Sequence, residues 1–382
     1  MVKKIKIVFR LRSLEMGGVN KVLIDILNHL PKEKLDLTIL VNLFQGELRN
    51  EIPKNIKLIK IAKGKEDFSK NLLIQKLQLI FRALKLKLLH HFSFLMKYYY
   101  KENYDIEIAF GRAELEMVLK SPQKNSKKIA WVHWEFSHEP ELNQSDLLIE
   151  RLKQFDHVVF CSDNVRRQVK ELYGFEFPSS SVIPNVIHPQ EILDKSIEKR
   201  DDLPKFNDDL FTFVSVGRVK NGKGYPLLLE IHKNLINQGF FHRIIIVGDG
   251  DKLVELKEKA KELGINNTFV LIGNKNNPFP YIVNSDCFIL PTQSEAYPLS
   301  IKEALLLGIP VLATDVGGMS EILTDGIDGL LMKYDKKDIE EKMKFLLNNS
   351  ILFSQLKSGA AQAKNKFEIE AVYQKIEKLL TN

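Results

Sequence analysis

Residues 287–322 read CFILPTQSEAYPLSIKEALLLGIPVLATDVGGMSEI, and the order of structural signals inside this stretch decides the fold class. Cys287 to Leu290 is a short apolar run of strand formers, Ile301 to Leu307 a run of good helix formers, and Val311 to Thr314 is apolar again. Strand, helix, strand in that order predicts one unit of a parallel sheet. Glu295 then lies in the loop leaving a strand, and Glu303 in the first turn of the next helix, with seven residues between them. Such a loop stands at the carboxyl end of its strand, where open parallel sheets bind ligands. Gly317 and Gly318 follow fourteen residues after Glu303.

Each acid also has a plain structural reading. Ser300 followed by Glu303 is a capping-box pattern, in which the glutamate closes on the start of its own helix. Glu295, in a loop before Pro298, has the surroundings of an ordinary solvated acid. Ligand and structural roles both stay open on this stretch alone.

The same alternation extends in both directions. Strand-like runs at Lys4 to Leu11, Leu35 to Asn42, Ile56 to Ala62, Asp105 to Phe110, Lys128 to Trp134 and His157 to Cys161 form a first series, with helical patterns such as Val19 to Leu30 and Val165 to Tyr173 between them. A second series runs from Phe211 to Met332. The expected fold class is therefore α/β, with two doubly wound Rossmann-like domains over residues 1–186 and 210–366, facing each other across a cleft. The polar stretch 187–209 is the expected linker, and residues 367–382 form a C-terminal helix.

Composition agrees with a globular chain. It has 382 residues, 44% of them hydrophobic and 27% charged, which suits two domains. Cys161 and Cys287 sit in apolar runs and read as buried reduced thiols. The N-terminal MVKKIKIVFRL carries Lys6 and Arg10 inside an alternating strand, so no signal peptide is expected, and no apolar window is long enough to span a bilayer. The expected location is cytoplasmic, with contact at the inner face of the plasma membrane.

That contact rests on the charge distribution. Net charge is +7, and from Ser69 to Lys101 no residue is acidic while Lys70, Lys76, Arg82, Lys85, Lys87, Lys97 and Lys101 are basic. At 100 degrees per residue, Leu73, Leu77, Ile80, Leu84, Leu88, Phe92, Leu95 and Tyr99 share one side. This is a basic amphipathic helix, or a helix pair broken near His90 and His91. One reading packs its apolar side on the sheet and leaves the basic side to water. The other brings Lys76, Arg82, Lys85 and Lys87 to an anionic membrane surface or an acceptor.

Four further motifs stand at predicted strand exits. FVSVGRVKNGKG places Gly217, Arg218 and Lys223 between a strand and a helix, where a planar guanidinium and a compact ammonium suit a diphosphate. IIIVGDG puts Gly248 in a turn, and Leu253 stands where a dinucleotide fingerprint requires glycine, so a nicotinamide enzyme is not indicated. Gly17 and Gly18 open a helix whose first amides could face an anion, or form a simple tight turn. In AWVHWEF, His133 ends a strand beside Trp131 and Trp134, as a packed core residue or a ligand contact, with Glu135 as a possible polar partner.

Taken with Glu-x7-Glu, the Gly-Arg and Lys-Gly pairs resemble the signature of the retaining GT-B glycosyltransferases usually numbered family 4, the group 1 type. The resemblance covers nearly the whole chain and is densest from Phe213 to Asp328. It implies that Glu295 holds donor-sugar hydroxyls, Glu303 the ribose, and Gly273 and Asn274 the base. Gly248 would line the nucleotide site and His133 would touch the sugar. Arg218, Lys223 and the amides of Leu299, Ser300, Gly17 and Gly18 would meet the diphosphate, in place of a metal. The C-terminal helix would cross back to the first domain.

The implied reaction moves a hexosyl group, with retention, from a nucleotide sugar, UDP first among the bases, to a saccharide acceptor. A lipid-linked acceptor in capsule or other surface polysaccharide synthesis is expected, with no cofactor beyond the nucleotide sugar and no nucleic acid. A nucleotide-sugar epimerase of the same fold is the nearest alternative. A basic lipid- or nucleic-acid-binding module is the remote one.

Overall fold

A computed structural model describes residues 3–136, 142–198, 209–363 and 366–381. The chain divides into two units, one made of Met1–Pro184 with Glu370–Asn382 and the other of Asn185–Ile369.

The first unit is built on β1 (Ile5–Leu11), β2 (Leu35–Phe44), β3 (Lys57–Lys63), β4 (Ile106–Ala109), β5 (Lys127–Val132), β6 (His157–Phe160) and β7 (Ser180–Val182). They form a seven-stranded sheet in the order β3-β2-β1-β4-β5-β6-β7, every neighbouring pair parallel. All four residues of β4 are buried. That includes Glu107, which accepts hydrogen bonds from Tyr100 Oη (2.6 Å), Ser121 Oγ (2.9 Å) and Ser126 Oγ (3.1 Å) and pairs with Lys128. A buried carboxylate persists in a sheet only with such a full set of donors. β7 is the strand not foreseen from sequence, because Ser180, Ser181 and Val182 form a short polar edge without an apolar run.

The second unit comprises β8 (Thr212–Val216), β9 (Arg243–Val247), β10 (Phe269–Gly273), β11 (Cys287–Leu290), β12 (Val311–Thr314) and β13 (Gly329–Met332), in the order β10-β9-β8-β11-β12-β13 and again parallel. Side-chain alternation assigns each residue to a face. Phe213, Ile244, Ile246, Ile289 and Leu312 join one apolar core, and Val214, Ile245, Val247, Phe288, Leu290 and Val311 join another. Two cores on one sheet are the physical meaning of near-continuous apolar strands.

The expected linker 187–209 is corrected by the structure. Ile187 and Ile192 enter the second unit's core, residues Pro189–Ser196 are helical, and Asn277 Nδ2 donates to Lys195 O and Glu198 Oε2, both at 2.8 Å. Polar composition concealed a one-sided helix. Residues 199–208 of that stretch lie outside the described residues.

The basic amphipathic segment forms α2 (Leu72–His91), capped by Asn71, followed by a short 3-10 turn over Ser93–Tyr98. The break near His91 agrees with the expectation, whereas the reading that packs the apolar side on the sheet is not met. Leu73, Leu77, Ile80, Leu84 and Leu88 face solvent, whereas Leu89 is buried. Arg82 donates to Gln45 Oε1 (3.1 Å) and Lys63 O (3.4 Å), and Lys85 to Ile61 O (2.6 Å), so two of the expected membrane cations are turned to the protein itself. Lys76 and Lys87 are exposed.

The helix Ile369–Thr381 belongs to the first unit. Tyr373 Oη donates to Asp25 Oδ2 at 2.5 Å, on α1 (Gly18–His29), and Lys34 pairs with Glu377 at 2.5 Å. Val372, Ile376 and Leu380 are its buried row. Ile376→Ala is expected to cost about 2–5 kcal/mol of the first unit's stability by leaving a cavity. Denaturant unfolding followed in each unit separately checks this; equal loss in both units contradicts the assignment.

Candidate functional site

β8 and β11 are neighbours, yet the chain leaves β8 toward β9 on one side and β11 toward β12 on the other. Loops diverging from adjacent strands open a crevice at their carboxyl ends. In the second unit these are the segments after Val216 and after Leu290, which carry Arg218, Lys223 and Glu295.

Backbone contacts hold the two loops together. Gly224 has φ +73°, and a Cβ there would stand 1.6 Å from Pro291 O, so only glycine permits the approach. Gln293 N donates to Gly222 O at 2.8 Å, and Thr292 Oγ1 to the same oxygen at 3.1 Å. This stitching puts the Lys223 ammonium against the Glu295 carboxylate as an ion pair, with 18% and 17% of the side chains exposed. The glycine pair after β12 closes the third side. Gly317 has φ +54°, with the place of a Cβ 1.6 Å from Glu295 O, and Gly318 N donates to Ala296 O at 2.9 Å.

Arg218 is exposed: its carbonyl accepts from Lys220 N at 3.0 Å, and its guanidinium has no hydrogen bond or ion pair among the described residues. Lys220, overlooked in the motif, completes a cluster of three cations within six residues. Desolvation, then the Arg218 and Lys223 charges, hold its ammonium below the usual lysine range. The Glu295 carboxylate and, more weakly, that of Asp251 oppose them, which leaves an excess of positive charge suited to an anion. The neighbouring exits are laced alongside. Gly217 N donates to Val247 O (3.0 Å) and Gly248 N to Gly273 O (2.9 Å), while Asn274 is exposed beyond them. The turn also contains Asp249-Gly250-Asp251, an Asp-x-Asp spacing just after β9. Both acids are exposed, and Asp249 Oδ1 accepts from Gly250 N at 2.7 Å.

The helix after Glu295 spans Leu299–Leu306 and is preceded by Pro298, with no side-chain cap. Ser300 therefore lies inside the first turn and Glu303 a turn further on, where it is buried, so the capping-box role fails on position. The uncapped amides of Leu299 and Ser300 stay in place for an anion. On the same helix Lys302 is buried and donates to Asn185 O at 2.8 Å, between the rings of Phe367 (4.9 Å) and Tyr297 (5.5 Å). Burial pushes its ammonium down to about 8.

In the first unit the diverging neighbours are β1 and β4. Gly17 caps α1 without a side chain, so no side-chain cap occupies the first amides of the helix, and a Cβ on Gly17 would meet nothing within 4 Å. His133, after β5, lies against Phe110 (4.6 Å) and parallel to Trp131 (6.2 Å). Burial pushes its imidazole down to about 3, so it is neutral, and neither ring nitrogen has a partner among the described residues. Glu135 accepts from Gln168 Nε2 at 3.0 Å and anchors the helix Asp163–Tyr173. Glu114, after β4, gave no sequence signal. Burial raises its carboxyl to about 7, and its Oε1 has no partner among the described residues.

Comparison with known proteins gives a consistent picture. Residues 16–191 match the family model described as Glycosyltransferase Family 4, and residues 196–366 the one described as Glycosyl transferases group 1. An uncharacterized glycosyltransferase of Haemophilus influenzae is 27% identical over 254 residues, 65% of this chain and 68% of that protein. An Escherichia coli protein named UDP-Gal:alpha-D-GlcNAc-diphosphoundecaprenol alpha-1,3-galactosyltransferase is 29% identical over 191 residues, 47% of this chain and 48% of that one. The chain thus matches about half the length of this second relative. The crystal structure of Anabaena Alr3699/HepE in complex with UDP and glucose shares the fold, with TM-score 0.72 at 18% identity over 99% of this chain and 100% of that one. Its likeness makes both sheets those of the GT-B architecture.

Lys302 supplies a pH test. The folded chain releases its proton near 8 and the unfolded chain near 10.5, so between those values the unfolded state binds more protons and stability from this residue rises with pH. Melting curves of the natural chain and Lys302→Met, taken across that window, are expected to diverge in favour of the natural chain. Parallel curves contradict a buried, depressed Lys302.

Proposed function

Since this chain belongs to the family 4 glycosyltransferases, we propose that it moves a hexosyl group, with retention, from a UDP-sugar to a hydroxyl of a lipid-linked saccharide during surface polysaccharide assembly. The observation that carries the donor assignment is the Lys223–Glu295 pair, stitched into place beside Arg218 and Lys220. In the transfer the bond from the anomeric carbon to the diphosphate oxygen breaks and one to the acceptor oxygen forms. Negative charge grows on the departing diphosphate, and the acceptor hydroxyl loses a proton to it. Arg218, Lys220 and Lys223 stabilise that growing charge, as do the amides of Leu299 and Ser300. No metal enters this scheme.

Glu295 accepts from hydroxyls of the donor sugar and Glu303 from the ribose. Gly273 and Asn274 border the base, with Gly248 beside them. In the first unit, the neutral His133 exchanges a hydrogen bond with a substrate hydroxyl, a partner that its ring nitrogens do not find among the described residues. UDP and glucose in the Anabaena protein support the donor class. The diphosphoundecaprenol acceptor in the Escherichia coli protein's name supports the acceptor class.

Arg218→Ala is expected to lower turnover about 100-fold or more while leaving the melting temperature unchanged, as loss of a transition-state cation does. Lys223→Ala should do the same with some loss of stability, because Glu295 is left unpaired. Transfer from radiolabelled UDP-glucose and UDP-galactose to lipid-linked saccharides reads both, and near-normal turnover in both variants defeats the phosphate assignment. Glu303→Gln is expected to weaken UDP binding roughly tenfold in calorimetry, the scale of about 1.4 kcal/mol. Unchanged affinity would remove Glu303 from the ribose.

A further inference from the structure

The transfer reaction leaves one large feature of the first unit without a use. On α2, Leu73, Leu77, Ile80, Leu84 and Leu88 recur at three- and four-residue spacings and form one row, with Ile74 and Phe81 beside it. Leu73 is 74% exposed, and the other four of the row are each at least half exposed. Phe92, Phe94 and Tyr98, in the segment that follows, are exposed too. Apolar surface this extended marks an interaction site. The helix cannot turn the row inward, because its other side is committed: Leu89 is buried, and Arg82 and Lys85 are bonded to the β3 region.

The charge around the row selects the occupant. No acid occurs over residues 69–101, while Lys76 and Lys87 lie exposed along one margin of the row and Lys70, Lys97 and Lys101 are exposed at its ends. A second copy of the same face would bring two wholly cationic surfaces together. An anionic bilayer offers what the face lacks, acyl chains for the row and negative headgroups for the lysines. We propose that α2 docks the first unit on an anionic phospholipid membrane, lying along the interface with its leucine row among the acyl chains and Lys76 and Lys87 at the headgroups. Among the described residues no helix is long and apolar enough to cross a membrane, and the polar back of α2 suits a helix that lies flat. The proposal is independent of the transfer chemistry.

The test is co-sedimentation of the full chain with vesicles of phosphatidylcholine, alone or with phosphatidylglycerol. Binding is expected only with the anionic lipid. The double variant Leu77→Ser with Leu84→Ser is expected to lose at least about tenfold in vesicle affinity, since the buried apolar area sets the binding strength. Lys76→Glu with Lys87→Glu is expected to abolish the preference for anionic lipid. All four positions are solvent-exposed, so circular dichroism and melting temperature should not move. Failure of the natural chain to bind anionic vesicles overturns the proposal, as does undiminished binding by the serine variant. A dimer in sedimentation velocity that the serine variant dissociates, with no vesicle binding, assigns the face to a second copy and overturns it as well.

Discussion

The charge cluster of the second unit depends on how closely two backbone segments can approach. Lys223 and Glu295 lie in loops that leave adjacent strands in opposite directions, and nothing in the strands themselves would bring the side chains together. Gly224 against Pro291 O and Gly317 against Glu295 O remove the atoms that would keep the loops apart. Once the peptide groups touch, hydrogen bonds from Gln293, Thr292 and Gly318 fix the spacing. Charge placement follows from steric permission, and the anion-attracting cluster inherits its precision from the sheet beneath it.

This explains the unequal legibility of the sequence. Strands buried on both faces announce themselves as continuous apolar runs, so both sheets and most strand positions could be read directly, as could the cluster Arg218, Lys223, Glu295. β7 could not, because an edge strand of Ser180, Ser181 and Val182 pairs through its backbone and needs no apolar side chains. The helix Pro189–Ser196 was hidden for a related reason, since Ile187 and Ile192 carry its packing within a charged stretch. Ser300 and Glu303 show the limit of spacing arguments. The pair has the right separation for a capping box, but the helix begins at Leu299, and a shift of two residues changes the role of both. Lys220 and Glu114 were missed because their significance lies in neighbours distant in sequence or in burial, neither of which a local motif encodes.

The orientation of α2 belongs to the same class of question. Periodicity reports that a helix has an apolar side and says nothing about which side meets the protein. Here the inward face is decided by hydrogen bonds from two cations to the β3 region and by one buried leucine, all of them long-range. Hydrophobicity and burial come apart on this helix, and the proposed membrane contact rests on the difference.

The Lys223–Glu295 pair also bears on what happens after a bond has been broken. Any diphosphate that takes Lys223 must displace a carboxylate already seated there, and the same carboxylate stands ready to return. A tethered anion of this kind acts as a built-in competitor with a fixed local concentration. Under the proposed transfer it would weaken the hold on free nucleotide and on stray phosphate more than on a ligand whose sugar gives Glu295 new hydrogen bonds. The loop would then discriminate between a loaded carrier and a spent one, with clearance of the spent form assisted from within the chain.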